Sequence, residues 1–329
     1  MDEILGELAQ LPAHAVVQAS REIAASAHLG WWQPEKRPIQ VVATHDVLPF
    51  PRLRYLLGLE WVPSDNELLV ANPDFAWLFL FHPNGYLREV ALDAVQSPPT
   101  SPFFFAALAL RLNDWVPQVR QAAERCVERV AKQTTPNIAA NAALYLLDRR
   151  LAWGRWSGVP KVLDDTFNRK DVMACIAAQL RLATGPLATC LRHALHYPNI
   201  DGHLPRLAAT AVQPSVRAVT YQCLISGKAT WPIGFEWLWI DKVYGLRRRV
   251  PTLASRDIEG SRPAAEFIRE AAHDKSPFVR RVAADALIAD RGQLPDEATL
   301  IAQLAKDPSS AIRSRADYML RHPPSGQSR

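Results

Sequence analysis

Residues 274–287, DKSPFVRRVAADAL, carry the pattern on which the interpretation of the fold depends. The stretch begins with an Asp and a turn containing Pro, and continues as an Ala-rich run whose apolar residues recur every three or four positions. This interval places the apolar side chains on one face of a helix. The stretch therefore predicts a turn followed by a helix that buries one face against a neighbour.

Four other stretches align with this one without gaps: HPNGYLREVALDAV (82–95), DWVPQVRQAAERCV (114–127), AVQPSVRAVTYQCL (211–224) and DPSSAIRSRADYML (307–320). The five aligned arginines are separated by 32, 97, 63 and 33 residues; they are Arg88, Arg120, Arg217, Arg280 and Arg313. These separations are close to multiples of one unit of about 32 residues. They predict further, degenerate units near residues 152, 184 and 248.

A second apolar stretch precedes each aligned stretch, so the unit is predicted to be a helix, a tight turn and a second helix. Asp114, Asp274 and Asp307 lie in the turns, each six residues before an aligned arginine. A carboxylate there can accept hydrogen bonds from free N–H groups and pair with an arginine of its own or the adjacent unit. We expect a structural ladder formed by Asp114, Arg120, Arg217, Asp274, Arg280, Asp307 and Arg313.

With Asp in the turn and Arg six residues later in paired helices of this length, residues 72–322 resemble HEAT repeats, especially the short bacterial kind seen in phycobilin-lyase-like proteins. The resemblance implies an all-α fold, a right-handed α-solenoid whose concave face binds proteins or nucleic acid. Residues 1–71 do not fit the period and are expected to form a helical cap and a Pro-rich connector. Residues 323–329 are expected to be a disordered tail.

Residues 225–262 interrupt the repeat with aromatic and basic side chains. The stretch 228–256 contains six basic and two acidic residues, so it contributes +4 to the formal net charge of +5. Pro232 and Gly234 favour a loop over 229–235, and FEWLWIDKVYGLRRR, residues 235–249, is compatible with a helix. The candidate partner-binding residues are Trp231, Trp237, Trp239, Lys242, Arg247, Arg248, Arg249 and Arg256.

Aromatic side chains beside guanidinium groups suit two anionic partners, an acidic peptide or a phosphodiester backbone with unstacked bases. A third interpretation is structural, with the Trp residues filling a gap between units and the arginines in solvent. We prefer a non-enzymatic scaffold that binds a protein. Nucleic-acid binding is the alternative.

The motifs of nucleotide hydrolysis, dinucleotide binding, serine hydrolysis and zinc peptidase chemistry are all absent from the sequence. An enzymatic alternative rests on fold analogy with HEAT-like alkylpurine DNA glycosylases, which use concave tryptophans and a carboxylate. Its candidate residues would be Trp115 or Trp153 with Asp114 or Asp148. A lyase or isomerase acting on a tetrapyrrole-like cofactor is permitted by the resemblance, but no residue supports it.

Neither a metal nor a cofactor is predicted. The four cysteines form no CxxC pair and are expected to be buried thiols. The nearest approach to a metal-binding set is RHALHYPNIDGH, with His193, His196, Asp201 and His203. The acidic, amphipathic N-terminal stretch and the lack of a long apolar run predict a cytoplasmic protein without a membrane partner.

Overall fold

The computed structural model describes residues 2–28, 65–149, 161–258 and 262–322. These residues form 17 α-helices and one two-stranded antiparallel sheet. The mostly helical fold agrees with the prediction, whereas the sheet was not predicted. Trp31, Trp32, Trp153 and the tail 323–329 lie outside the described residues.

The described residues divide into two compact units, which meet in sequence near residues 147–167. The helices of the first unit are α1 (Asp2–Gln10), α2 (Val16–His28), α3 (Asp65–Ala71), α4 (Ala76–Phe79), α5 (Gly85–Ala94), α6 (Pro102–Leu112) and α7 (Pro117–Val130). Two helices cross the division, α8 (Pro136–Arg149) and α9 (Lys161–Phe167).

The second unit contains both the remaining helices and the sheet. Its helices are α10 (Lys170–Leu182), α11 (Leu187–Ala194), α12 (Leu204–Thr210), α13 (Pro214–Ser226), α14 (Ala264–Ala272), α15 (Pro277–Ala289), α16 (Glu297–Leu304) and α17 (Ser310–Arg321). Its strands are β1 (Lys228–Asp241) and β2 (Leu246–Asp257). Short 3₁₀ helices lie at Ala13–Ala15, Pro73–Phe75, Ala131–Gln133 and Pro198–His203. None of the helices in the described ranges is both long and apolar enough to cross a membrane.

The helix starts follow from local sequence. α15 begins at Pro277, and the Ser276 hydroxyl accepts a hydrogen bond from the Phe278 N–H. Ser101 caps α6 in the same way, and Asn84 caps α5. Pro fits the first turn of a helix because the N–H that it lacks would have no partner within the helix. These side-chain caps fix where α5, α6 and α15 begin.

The core of the first unit is built around α6, PFFFAALALRL, which is buried on nearly every side. A helix that is apolar all round must be covered on all faces. α7 packs on α6, and α1 and α2 from the N-terminal region also lie against it. In the second unit α13 packs on α15, and α15 packs on α17.

The thiols are mostly buried, as expected. Three of the four cysteines, Cys126, Cys190 and Cys223, are buried, and Cys175 is half-buried.

The predicted helix over residues 235–249 is wrong, because this segment forms the distal part of a β-hairpin. β1 and β2 pair from Lys228↔Asp257 to Asp241↔Leu246, with irregularities between Pro232 and Gly234 and between Trp239 and Asp241. The Asp241 carboxylate accepts the N–H groups of Val243 and Tyr244, and Gly245 adopts φ +66° to close the turn. Aromatic side chains at every second position favour a strand over a helix.

The predicted degenerate unit near residue 248 is therefore also wrong. α13 packs directly against α14 and α15, which follow the hairpin in sequence. The 63 residues from Arg217 to Arg280 include the 30 residues of Lys228–Asp257, and removing these leaves 33, the separation of Arg280 and Arg313. The hairpin is thus inserted between two adjacent helical pairs and does not replace one.

Candidate functional site: a β-hairpin with an aromatic and arginine face

Each of the five aligned arginines makes the same kind of contact in its own turn between two helices. Each donates from Nη1 to two backbone carbonyls, six and five residues earlier in the chain. For Arg280 the acceptors are Asp274 and Lys275, at 2.9 and 3.0 Å, and the corresponding bonds are made by Arg88, Arg120, Arg217 and Arg313. The arginine therefore closes its own turn.

Three of these arginines also reach the aspartate of a neighbouring turn. The Nε and Nη2 atoms bond both carboxylate oxygens in Arg88–Asp114, Arg217–Asp274 and Arg280–Asp307, at 2.6–3.0 Å. Each aspartate also accepts the backbone N–H two residues later, from Val116, Ser276 and Ser309. Bidentate, charge-assisted pairs of this kind fix orientation as well as distance. These residues hold helical pairs together.

Asp114 has a second arginine that sequence analysis missed. Arg111 donates to Asp114 at 2.9 Å, and burial lowers the pKa of Arg111 to about 10, with the positive charge of Arg88 acting in the same direction. Asp114 itself is buried between these two guanidinium groups. A carboxylate so engaged is poorly placed to act as a base on a substrate. Trp115, beside it, is exposed.

The histidine cluster predicted as the nearest approach to a metal site has structural contacts. His193 is buried in α11, the rings of His196 and Trp231 lie 5.1 Å apart, and Asp201 pairs with Arg256. Burial, with the charge of Arg206, lowers the pKa of His203. Among the described side chains no three His, Cys, Asp or Glu residues are grouped so as to hold a metal ion.

The distal hairpin presents one face on which aromatic rings and guanidinium groups alternate. Since paired residues share a face, Trp237 lies with Arg249 and Trp239 with Arg247, and Phe235 continues the same row. The guanidinium carbon of Arg247 lies 4.4 Å from the ring centroid of Trp237, and that of Arg249 lies 3.9 Å from that of Phe235. We call Phe235, Trp237, Trp239, Arg247 and Arg249 the aromatic–arginine face.

Arg248 does not belong to this face. It pairs with Leu238 on the opposite side of the hairpin, because neighbouring residues of a strand point to opposite sides. Lys242 lies exposed in the turn. The strand geometry therefore separates the three consecutive arginines, two on one side of the sheet and one on the other.

Trp231 and Arg256, which were expected to contact a partner, instead anchor the hairpin. Arg256 bonds both carboxylate oxygens of Asp201 at 2.6 Å and also donates to the carbonyls of Leu195 and Tyr197. Ala229, opposite Arg256 in the sheet, is fully buried. These contacts attach the foot of the hairpin to the segment that follows α11.

Beyond Pro232 the hairpin is largely in solvent, over a strand length of about 30 Å. Its exposed apolar side chains include Val243 (89%) and Tyr244 (79%) at the turn, with Ile233, Phe235, Trp237, Leu238, Trp239, Ile240, Leu246 and Leu253 along the strands. A two-stranded hairpin in water is marginally stable by itself, and clusters of exposed apolar side chains on a protein surface mark interaction sites.

A groove lies at the foot of the hairpin, between α13 and α15. Its volume is about 680 Å³, and its lining includes Lys228, Ser226, Arg281 and Asp285. Asp285 is paired with Arg315 of α17. The groove brings both signs of charge together without a set of groups suited to acid–base or metal chemistry.

Comparisons of the chain with protein-family models, with curated proteins and with solved structures found no match.

Proposed function

We propose that the chain is a non-enzymatic scaffold, an α-solenoid of HEAT-like helical pairs, which binds a protein partner through the hairpin. The single observation that supports this most is the aromatic–arginine face, which stands in solvent on an anchored hairpin. The binding site then lies on the inserted strands and not on the concave helical surface, where the resemblance would put it.

The foot of the hairpin supports a role in positioning. The bonds of Arg256 to Asp201 hold one strand against the helical unit, and the backbone bond from Ile258 to Gly227, at 2.8 Å, closes the hairpin at its base. An arm with a fixed foot loses less conformational freedom on binding than a flexible loop does. Such an arm presents its distal residues to a partner in one orientation.

The distal residues support a macromolecular partner. Trp, Tyr and Arg are the residue types that contribute most to protein–protein binding free energy. Here two Trp, one Tyr and three Arg occur within residues 237–249, all exposed. Covering them would remove apolar surface from water, at roughly 25 cal/mol per Å².

The geometry favours a protein over unstacked nucleic-acid bases. Arg247 and Arg249 lie over the rings of Trp237 and Phe235, so a guanidinium already occupies one face of each ring and leaves one face for a base to stack on. A peptide carboxylate can pair with the same guanidinium without displacing it from the ring. Nucleic-acid binding would instead give a nuclease-sensitive adduct on crosslinking.

Site-specific photo-crosslinking tests the proposal. A photoreactive phenylalanine derivative replaces Tyr244 at the hairpin turn or, as the matched control, Tyr86 at the start of α5, an exposed tyrosine 65% accessible in the other unit. We expect the source-cell lysate to give a protein adduct of defined mass from position 244 and none from position 86. Identical adducts from both positions, or no adduct from position 244, would contradict the proposal.

Nuclease and protease treatment of the adduct identify its chemistry. An adduct that disappears with protease and survives nuclease supports a protein partner. An adduct that is removed by nuclease would replace the proposal with nucleic-acid binding. In that case retention on DNA or RNA should fall steeply with salt, because phosphate contacts release bound counterions.

A further inference from the structure

We infer that the outer edge of β2 at Leu246–Val250 receives an acidic, extended segment of the partner protein as a third strand. This inference rests on the proposed function, since it names the chemistry of the partner and how the partner binds. Three observations lead to it: the unpaired edge, the composition of β2, and the interruptions in β1.

Each strand of the hairpin has one neighbour in the described part of the chain, so each leaves one edge of backbone N–H and C=O groups without a strand partner. Such an edge is a template for a strand from another molecule. The turn side chains Val243 and Tyr244 and the flanking Lys242 are exposed, so the distal half of the edge is accessible from solvent.

The two edges are not equivalent as templates. β1 contains Pro232, which has no N–H to donate, and it carries both register irregularities, near Ile233 and Ile240. β2 is regular from Leu246 to Val250 and meets its first Pro at position 251. A regular edge without Pro pairs more readily with an incoming strand. The edge of β2 near the turn is therefore the better template.

The positive charge of β2 favours an incoming strand that carries negative charge. Between Leu246 and Arg256 the strand carries four arginines and no acidic residue. Arg256 is paired with Asp201 at the foot of the hairpin. Of the other three, Arg247 and Arg249 lie on one side of the two-stranded sheet and Arg248 lies on the opposite side. Opposite charges on facing positions stabilise a strand pair, and like charges destabilise it. Consecutive carboxylates in the incoming strand would match all three arginines.

The same charges disfavour a second copy of this chain as the occupant. Pairing β2 with β2 of another copy would bring the two sets of arginines together on adjacent strands. The three exposed arginines thus oppose self-association through this edge and admit an acidic strand.

A synthetic peptide tests the inference with the full-length chain. The probe is the fluorescent, capped heptapeptide Thr-Val-Glu-Glu-Glu-Val-Thr, measured by fluorescence anisotropy. One control is the same peptide N-methylated at every residue, which keeps every side chain and removes the N–H donors of both strand edges. We expect saturable binding of the acidic peptide and at least about a tenfold weaker affinity for the N-methylated one. Equal binding of the two would overturn strand addition.

Charge exchange provides the second test. The variant with Arg247→Glu, Arg248→Glu and Arg249→Glu should lose the acidic peptide and bind the corresponding Lys peptide. The matched control carries Arg21→Glu, Arg206→Glu and Arg321→Glu, three exposed arginines outside the hairpin with the same change in net charge. This control should bind the acidic peptide as the wild type does. If the control loses binding equally, net charge and not the edge governs it, and the inference is wrong.

The outcomes separate the inference from the proposed function. If the acidic peptide does not bind while position 244 still crosslinks to a protein, strand addition is wrong and the protein-binding role stands. If position 244 gives no adduct and the peptide does not bind, both are wrong. If a short oligothymidine binds the hairpin more tightly than the peptide, the acidic-strand inference is overturned in favour of nucleic acid.

Discussion

Arg217 bonds both carboxylate oxygens of Asp274 at 2.8 Å, although 57 residues separate the two in sequence. The corresponding pairs Arg88–Asp114 and Arg280–Asp307 are separated by 26 and 27 residues. The additional length is the hairpin, which leaves the helical unit after α13 and returns before α14. The contact between the two helical pairs is therefore preserved across the insertion.

Asp274→Asn should destabilise the second unit strongly. The Arg217 side chain is only 3% exposed, so the substitution would leave a buried guanidinium facing a neutral amide. Breaking one partner of a buried pair costs about 3 kcal/mol or more. The check is the urea midpoint followed by circular dichroism.

The control for Asp274→Asn is Asp285→Asn, whose partner Arg315 forms a solvent-accessible pair. Exposed pairs contribute roughly 0–1 kcal/mol, so this variant should unfold close to the wild type. Equal losses in the two variants would show that the Arg217–Asp274 pair has no special structural role.

The Arg217–Asp274 and Arg280–Asp307 pairs predict how the free energy of unfolding depends on pH. Hydrogen bonds from the Arg280 side chain, and the backbone N–H of Ser309, hold the pKa of Asp307 below its usual value. Burial acts to raise the pKa of Asp274, but the hydrogen bonds from Arg217 and Ser276 together outweigh it, so this pKa is also lowered. A lowered pKa means that the folded state binds a proton less readily than the unfolded chain. The stabilisation is therefore present above about pH 4 and is lost as pH falls through the folded-state pKa values.

Urea unfolding between about pH 6 and pH 2.5 measures this acid dependence. Asp307→Asn should be less stable than the wild type at pH 6 and should lose less stability on acidification, because the substituted side chain cannot take up the proton. A variant whose stability falls as steeply as that of the wild type would show that other carboxylates govern the acid response.

The helical pairs could be predicted from sequence because their signals are local. Turn prolines, the Asp six residues before Arg, and apolar residues every three or four positions each act within one helix or its cap. The aspartate with which each arginine pairs was harder to predict from the sequence. Arg88 has no aspartate six residues before it, yet it bonds Asp114 of the following turn. Arg111 joins the same carboxylate from α6, with no repeated signal to indicate it.

The hairpin was missed because two patterns overlap in it. Trp239, Val243 and Leu246 have helical spacing, whereas Phe235, Trp237 and Trp239 alternate as in a strand. The near agreement of 63 with two units of 32 also favoured an extra helical pair, since an inserted hairpin of 30 residues has almost the same length as one unit. Trp231 contacts His196, and Arg256 pairs with Asp201. Because these partners are distant in sequence, the local pattern did not indicate that Trp231 and Arg256 lie at the foot of the hairpin.

Shortening the hairpin should leave the helical unit folded. Replacing residues 233–252 by Asn-Gly would join Pro232 to Leu253 through a two-residue turn and keep Ala229 and Arg256 at the foot. Since the removed residues are mostly exposed, the melting temperature should change by no more than about 2–3 °C. Partner binding should be lost.

The control for the shortened hairpin is Arg256→Ala, which retains the distal residues and removes the bonds to Asp201, Leu195 and Tyr197. This variant should melt lower than the shortened form. If the shortened chain melts lower than Arg256→Ala, the distal strands contribute to the stability of the helical unit, and the assignment of the arm to partner binding loses its basis.

The charge around the exposed tryptophans can be measured directly by quenching. Trp237 and Trp239 are about half exposed, and Arg247 lies within 6 Å of both rings. The difference in emission between the wild type and the Trp237→Phe, Trp239→Phe variant isolates these two indoles. Because cations attract anions locally, iodide should quench this difference emission more strongly than caesium does.

The preference for iodide should decrease in Arg247→Gln, Arg249→Gln and should decrease further at high salt, where exposed charges are screened beyond about 3 Å at 1 M. Acrylamide, which is neutral, controls for accessibility and should quench the tryptophans of both proteins to a similar extent. Stronger quenching by caesium than by iodide would mean that Glu236 and Asp241, and not the arginines, set the local potential. In that case the edge of β2 would not select an acidic strand.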